Sequence, residues 1–370
     1  MKRIGRHKRK KQNEILIIGS LSLLLFLCAG YAAFSTNLSI TAKGNIKEKS
    51  RVIQSWNETS QTDFHSDFYK ENIVSVTFLD NANVPSNATE SWNVSEDQKH
   101  GGAMAWVIPS SEDNTKYDLY MGARGGVIAN EDSSWLFAHF TDVTEINFNN
   151  NYDTSNALKT AKMFYQCINL STINVSNFDT RNVTNMDSMF AMYDKVNGVP
   201  VENKLTNIIF GDNFSVENVT IMSQLFAGCS KLTTIDVSDW DTSNVIDMSS
   251  VFAYCQSLTS LDLSKWDTSN AGTMSWLFKG CTNLITINLD NFNTSKVTGM
   301  YQMFCECINL TNLNLCSFNT KSVTNMYQMF YHTASLKQIR VGFNWSMDKV
   351  TNSSQMFSYS GVSSVTTGQC

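Results

Sequence analysis

The sequence predicts an α/β repeat solenoid: one short parallel strand and one short helix per 26-residue coil, behind a β-rich cap and an N-terminal signal or anchor segment. Three observations predict it. Phenylalanines in settings such as VFAYC and LFKGC recur as Phe137, Phe164, Phe190, Phe226, Phe252, Phe278, Phe304, Phe330 and Phe357, giving nine units. Successive gaps are 26 or 27 residues except for one of 36, which holds a loop around AMYDKVNGVPVEN. Inside a unit the hydrophobic period changes from helical to alternating, and ahead of the units stand a basic cluster and an apolar run.

The N-terminal segment is residues 1–34. Lys2, Arg3, Arg6, Lys8, Arg9, Lys10 and Lys11 supply +7 of a formal net charge of −5, so the remainder carries −5 − 7 = −12. An acidic body disfavours nucleic acid as a partner. ILIIGSLSLLLFLCAGYAAF, from Ile15 to Phe34, follows the basic cluster. Its apolar core has the length of a signal peptide with cleavage near Ala32, and the full run is long enough to remain in the membrane as an anchor. Both readings place the rest of the chain outside the cell, on the surface or secreted. Residues 35–72 are polar and read as a stalk or loosely ordered segment. Residues 73–130, with AMAWVI and YDLYMG separated by PSSEDNTK, read as a β-rich cap that covers the first coil.

The nine units fill residues 131–370. Val245, Met248, Phe252 and Cys255 fall at i, i+3, i+7 and i+10, one face of a short helix, with Asn244 or Asp247 available to cap its start. SLTSLDLSKW then alternates, placing Leu261 and Leu263 inward and Ser260, Asp262 and Ser264 outward, as a strand does. The DTSN that follows favours a turn. Equivalent positions make columns: Met186, Met222, Met248, Met274, Met300 and Met326 in one, Phe178, Phe214, Trp240, Trp266, Phe292, Phe318 and Trp345 in another. Because these share the period of the Leu and Val positions, they are expected in the core, each coil covering its neighbour.

At this point the residues resemble a family. LTSLDLSKW reads LxxLxLxxW, close to the leucine-rich repeat pattern, and DTSNVIDMSSVFAYCQSLTSLDLS resembles the BspA-like family of bacterial leucine-rich repeat surface proteins. The resemblance runs from about residue 134 to 357 and implies adhesion to host matrix or neighbouring cells. An aromatic stands where ordinary leucine-rich repeats place Asn or Cys after the strand, so the turn chemistry departs from the common horseshoe.

Catalysis needs a positioned acid, base, nucleophile or metal. His7, His65, His100, His139 and His332 form no such set, and no metalloprotease, phosphate-loop or nucleophile-elbow motif occurs. No enzyme activity and no cofactor are expected. Cys167, Cys229, Cys255, Cys281 and Cys307 share a column and are expected as buried thiols. Cys305, Cys307 and Cys316 lack a fourth ligand for zinc, and Cys370 is placed to pair between chains.

The outward strand positions form polar ladders. The candidate binding face comprises Asn174, Asp236, Asp262, Asn288 and Asn314, flanked by Thr234, Ser260, Ser264 and Thr286. The bland account is a solvated strand surface. The functional expectation is an exported surface binding protein, an adhesin, that uses this extended face to hold an extracellular protein or glycan. A structural or self-associating envelope protein is the alternative, and an uncharacterised enzyme the third reading.

Overall fold

The computed structural model describes residues 38–40, 46–48, 50–194, 199–368 and 370. The expected signal or anchor segment, Ile15 to Phe34, lies outside them. Among the described residues no helix is long and apolar enough to cross a membrane.

β1 (Leu38–Ile40) pairs antiparallel with β2 (Ile46–Glu48). A 3-10 turn (Asp63–His65) and a four-residue helix, α1 (Asp67–Lys70), then precede β3 (Ile73–Leu79), β4 (Glu90–Asn93), β5 (Met104–Pro109), β6 (Tyr117–Gly122) and β7 (Val127–Ile128). Val76 and Phe78 alternate and are buried, and Ile73 joins them in the core across a register shift at Ile73/Ser75, which marks β3 as a strand with one face inward.

The stalk reading of residues 35–72 needs correction from residue 50 onward. Ser50, Val52 and Ile53 bridge to Gly101, Ile128 and Ser95, while Trp56, Phe64 and Tyr69 are buried. Trp56 stacks on His65 at 4.4 Å, and Tyr69 meets Trp92 edge-on at 5.3 Å. Three large aromatics among polar neighbours are enough to fold this segment onto the sheet, because each ring buried removes a large apolar area from water.

The repeats carry β8 (Glu145–Asn147), β9 (Tyr152–Asp153), β10 (Thr172–Val175), β11 (Tyr193–Asp194), β12 (Val199–Pro200), β13 (Asn207–Phe210), β14 (Ser260–Asp262), β15 (Thr286–Asn288), β16 (Asn312–Leu315), β17 (Gln338–Val341) and β18 (Thr366–Thr367). The largest sheet, in the order β4-β5-β6-β3-β8, joins the N-terminal unit to the first repeat, because β8 lies parallel to β3. β10 pairs with β13, β14 with β15, and β16 with β17, all parallel and in register; β11 and β12 make an antiparallel hairpin. The described residues make a β-rich, repeat-built fold of several small sheets, with few helices and no closed barrel among them.

A chain of isolated parallel bridges records the repeat independently of the strands. It runs 132 to 159, 185, 221, 247, 273, 299, 325 and 352, the same spacings as the phenylalanines. Those phenylalanine rings stack in sequence order, with neighbouring centroids 5.5–5.9 Å apart from Phe137 to Phe357. All six methionines of the column are fully buried. Equivalent side chains therefore lie next to one another, as the period requires.

Among the described residues the expected helix is absent from every unit. In the fifth unit Ser250 and Tyr254 have φ of 59° and occupy the left-handed region on either side of Phe252. The amides of Ser250, Phe252 and Tyr254 donate to carbonyls of Ser275, Leu277 and Lys279 in the following unit, while those of Ala253 and Cys255 close local turns on Ser250 and Phe252. A helix would send these N–H groups to i−4 within the unit. Here the backbone bonds run between units, and two consecutive turns put the same apolar residues inward.

Candidate functional site

The strand face is built by alternation. In β10, β14 and β16 the odd side, Ile173, Leu261 and Leu313, is buried, and Thr172, Asn174, Ser260, Asp262, Asn312 and Asn314 are exposed. Register puts Asn174 beside Ile209, Ser260 beside Thr286, Asp262 beside Asn288, and Asn314 beside Arg340. The central column is thus polar along most of its length, with apolar Ile209, 39% exposed, in one place and a cation at its far end. Asp236 in this column and Thr234 in the flanking one are exposed but lie outside any strand, so the face is a series of paired strands and not one unbroken sheet.

The column residues also hold the backbone. Asn174, Asp236, Asp262, Asn288 and Asn314 each accept, through Oδ1, the N–H of the residue two positions on, at 3.1–3.3 Å. This is the Asx turn, in which a short side chain satisfies the first amide past the strand. It gives a short polar residue a structural use at the strand's end, although Ile209 and Arg340 hold the same position without one. Hydrogen bonds from the Ser238 side chain and amide hold the Asp236 carboxyl below its ordinary range, and those from Ser264 do the same for Asp262.

Asn147, in the first unit, differs. That unit carries an extra residue, Asn149 and Asn150 both adopt positive φ, and Asn147 makes no Asx turn. Asn149 and Asn151 instead donate to the Phe78 carbonyl of β3, at 3.3 and 3.2 Å. The irregularity opens a cavity of about 240 Å³ lined by Asn147, Asn149, Asn150, Asn174, Ser176 and Asn177 along with Ile146 and Phe148. Among the described residues, the side-chain amides of Asn147, Asn150 and Asn177 have no protein partner, so each presents a donor and an acceptor to this notch. Of the predicted face only Asn174 reaches it. The signal for the notch was the extra residue in NFNNNYD.

The cysteine column is used inside the core. The thiols of Cys167, Cys229, Cys255, Cys281 and Cys307 each lie 3.0–3.2 Å from the carbonyl of the key phenylalanine in the preceding unit, as donors. Burial pushes these thiols up, Cys281 to about 12, which keeps them protonated. Cys305, Cys307 and Cys316 do not converge: Cys316 forms a disulfide with Cys370. The expected pairing of Cys370 between chains is therefore replaced by a bond within the chain, made possible because β18 lies beside β17 and returns the tail to the strand side. Asp236 and Asp262 bring no third carboxylate, and no group of three metal-ligating side chains occurs among the described residues.

On the turn side the units carry a ladder that the sequence reading did not anticipate. Lys279 Nζ donates to Gln302 Oε1 at 3.0 Å, Gln302 to Gln328, and Gln328 Nε2 to Gln355 Oε1 at 2.6 Å. Glutamine at one repeat position in three successive units, Gln302, Gln328 and Gln355, was its signal.

Compared with known protein families, the repeats match the family described as Mycoplasma protein of unknown function, DUF285, over residues 131–209, 199–287 and 261–366. No curated protein matches the chain.

Proposed function

The chain belongs to the DUF285 family, and from that premise we propose that it is a non-catalytic, exported binding protein of the cell surface whose repeats form a BspA-like solenoid. The observation that carries the reading is the polar strand face. Short hydrogen-bonding side chains stand exposed on registered strands over most of the repeat region, above a core that is continuous from unit to unit. Arrays of this kind present an extended, rigid surface without ordering loops on binding. The notch at Asn147 and Asn177 adds a concave polar site at one end of that surface. A protein or a glycan outside the cell is the partner such a face suits, because its amides, hydroxyls and carboxylates offer many hydrogen bonds and few apolar anchors. The basic N-terminus and the apolar run after it support export.

The test is a partner screen on the full-length protein. Saturable binding to an extracellular protein or glycan that Thr234→Lys with Ser260→Lys abolishes, at exposed positions that hold no turn, with unfolding unchanged, is the expected result. Binding that ignores both substitutions sinks the strand-face reading. Ordered assemblies of the purified chain with no partner point instead to a structural envelope protein, and turnover abolished by a point change to an enzyme.

A further inference from the structure

Most units use their strand-end side chains internally. Asn174, Asp236, Asp262, Asn288 and Asn314 each hold the N–H two residues on. Residues just before the aromatic column engage the neighbouring unit: Asp239 pairs with Lys265, Asn291 donates to the Ser264 carbonyl and Ser317 to the Leu289 carbonyl. The first two units depart from this pattern. Asn147 makes no such turn, and Asn177, at the position of Asp239 and Asn291, has no side-chain partner among the described residues. Between them Asn149 and Asn150 have φ of 50° and 56°, whereas every other left-handed residue described in the repeats lies two positions from a key phenylalanine. Glycine meets that conformation at least cost. Asparagine at 150, whose side chain bonds nothing among the described residues, therefore keeps an amide that the backbone does not need.

We propose that the notch these residues line, of about 240 Å³, binds neutral hexose units of an extracellular glycan. The inference rests on the reading of the chain as an exported binding protein and names the ligand class of its concave end. No lining residue is charged, and the polar ones are Asn147, Asn149, Asn150, Asn174, Ser176 and Asn177. An amide sets a donor beside an acceptor, which suits two neighbouring ring hydroxyls, each able to donate and to accept. A carboxylate or phosphate only accepts and would face the amide oxygens, while an ammonium only donates and would face the NH₂ groups. Protein partners are held chiefly by large side chains anchored in well-packed pockets, and here the apolar members, Ile146 and Phe148, are packed into the core. The volume falls below the roughly 300–1,000 Å³ of sites that enclose a whole drug-sized ligand. A short piece of a sugar chain fits, with the rest in solvent where exposed Asn174 and Ser176 lead on to the strand face.

The experiment is an NMR titration of the full-length chain, read at asparagine side-chain amides, with linear tetrasaccharides of glucose, mannose and galactose, and with sialyllactose and a glucosamine tetramer as charged controls. The expected result is saturable movement of the Asn147, Asn150 and Asn177 signals with at least one neutral sugar. Affinity should fall at least about tenfold in Asn150→Gly with Asn177→Ala, which keeps the left-handed turn and removes two amides. The wild-type shift map decides alone if that variant misfolds. No saturable movement with any neutral sugar, movement confined to other residues, an equal response to either charged control, or binding untouched in a folded double variant would each overturn the proposal. Thr234→Lys with Ser260→Lys should leave sugar affinity unchanged, and an equal loss there would move the sugar to the strand face. Partner binding lost in that variant while no sugar responds sinks this inference and spares the strand-face reading.

Discussion

Phe252 sits fully buried with its ring 5.7 Å from Phe226, 5.9 Å from Phe278 and 5.9 Å from Trp266. Neighbours on both sides belong to other units, so a cavity here cannot close without shifting two stacked layers. Phe252→Ala should lower stability by about 3 to 5 kcal/mol in denaturant unfolding. A loss under about 1 kcal/mol would contradict the stacked core. The thiols make a second prediction. Cys281 is buried and its ionisation is pushed from 9.0 up to about 12, so the folded state favours the protonated form. The stability linked to this group is therefore whole below pH 9.0 and is lost progressively as pH rises toward about 12. Cys281→Ser, whose hydroxyl can still donate to the Phe252 carbonyl and does not ionise, should unfold at higher pH than the parent in parallel alkaline titrations; an unchanged or lower midpoint counts against it. These inward residues were legible in the sequence because periodicity reports burial directly. The Asx turns were hidden, because an exposed Asp or Asn at a strand end looks alike whether it serves a ligand or its own backbone.

The turn half shows why elements are harder to read than columns. Val245, Met248, Phe252 and Cys255 satisfy the spacing of a helical face, yet two successive turns deliver the same residues inward. What separates the two is the sign of φ beside the phenylalanine, and the sequence mostly conceals it: Ser250, Gln302, Gln328 and Gln355 take the left-handed region without being glycine. Gly228 and Gly280 are the exceptions that expose the rule, with φ of 78° and 71°. A Cβ on Gly228 would lie 2.1 Å from the Met192 carbonyl oxygen, which is backbone and already accepts the Val201 N–H, whereas one on Gly280 would meet the Tyr254 ring at 2.5 Å. The ring can rotate aside and the carbonyl cannot. Gly228→Ala should therefore cost about 1 to 3 kcal/mol and Gly280→Ala less; the reverse order in thermal or denaturant melts would argue against these turns.

At the scale of the whole chain, the turn-side backbone couples each unit to its immediate neighbours, since each donor row meets the next acceptor row. The N-terminal end is closed by residues 50–130, a closure whose β-strand half the sequence showed and whose aromatic half, Trp56, Phe64 and Tyr69, it hid among polar residues. The C-terminal end is closed on its strand side by two residues of β18, Thr366 and Thr367, held through Cys370 to Cys316 across 54 positions. Closing a loop of that length removes about 4 kcal/mol of chain entropy from the unfolded state of the segment it spans. That segment covers only the last units, so the effect is local. Reduction, or Cys370→Ala, should speed hydrogen exchange at the backbone amides of β17 and in the ninth unit by at least about tenfold, leaving the Phe226 and Phe252 amides near their original protection. If protection instead falls evenly from the first unit to the ninth, the chain unfolds as one body and coupling between neighbours is not what limits it.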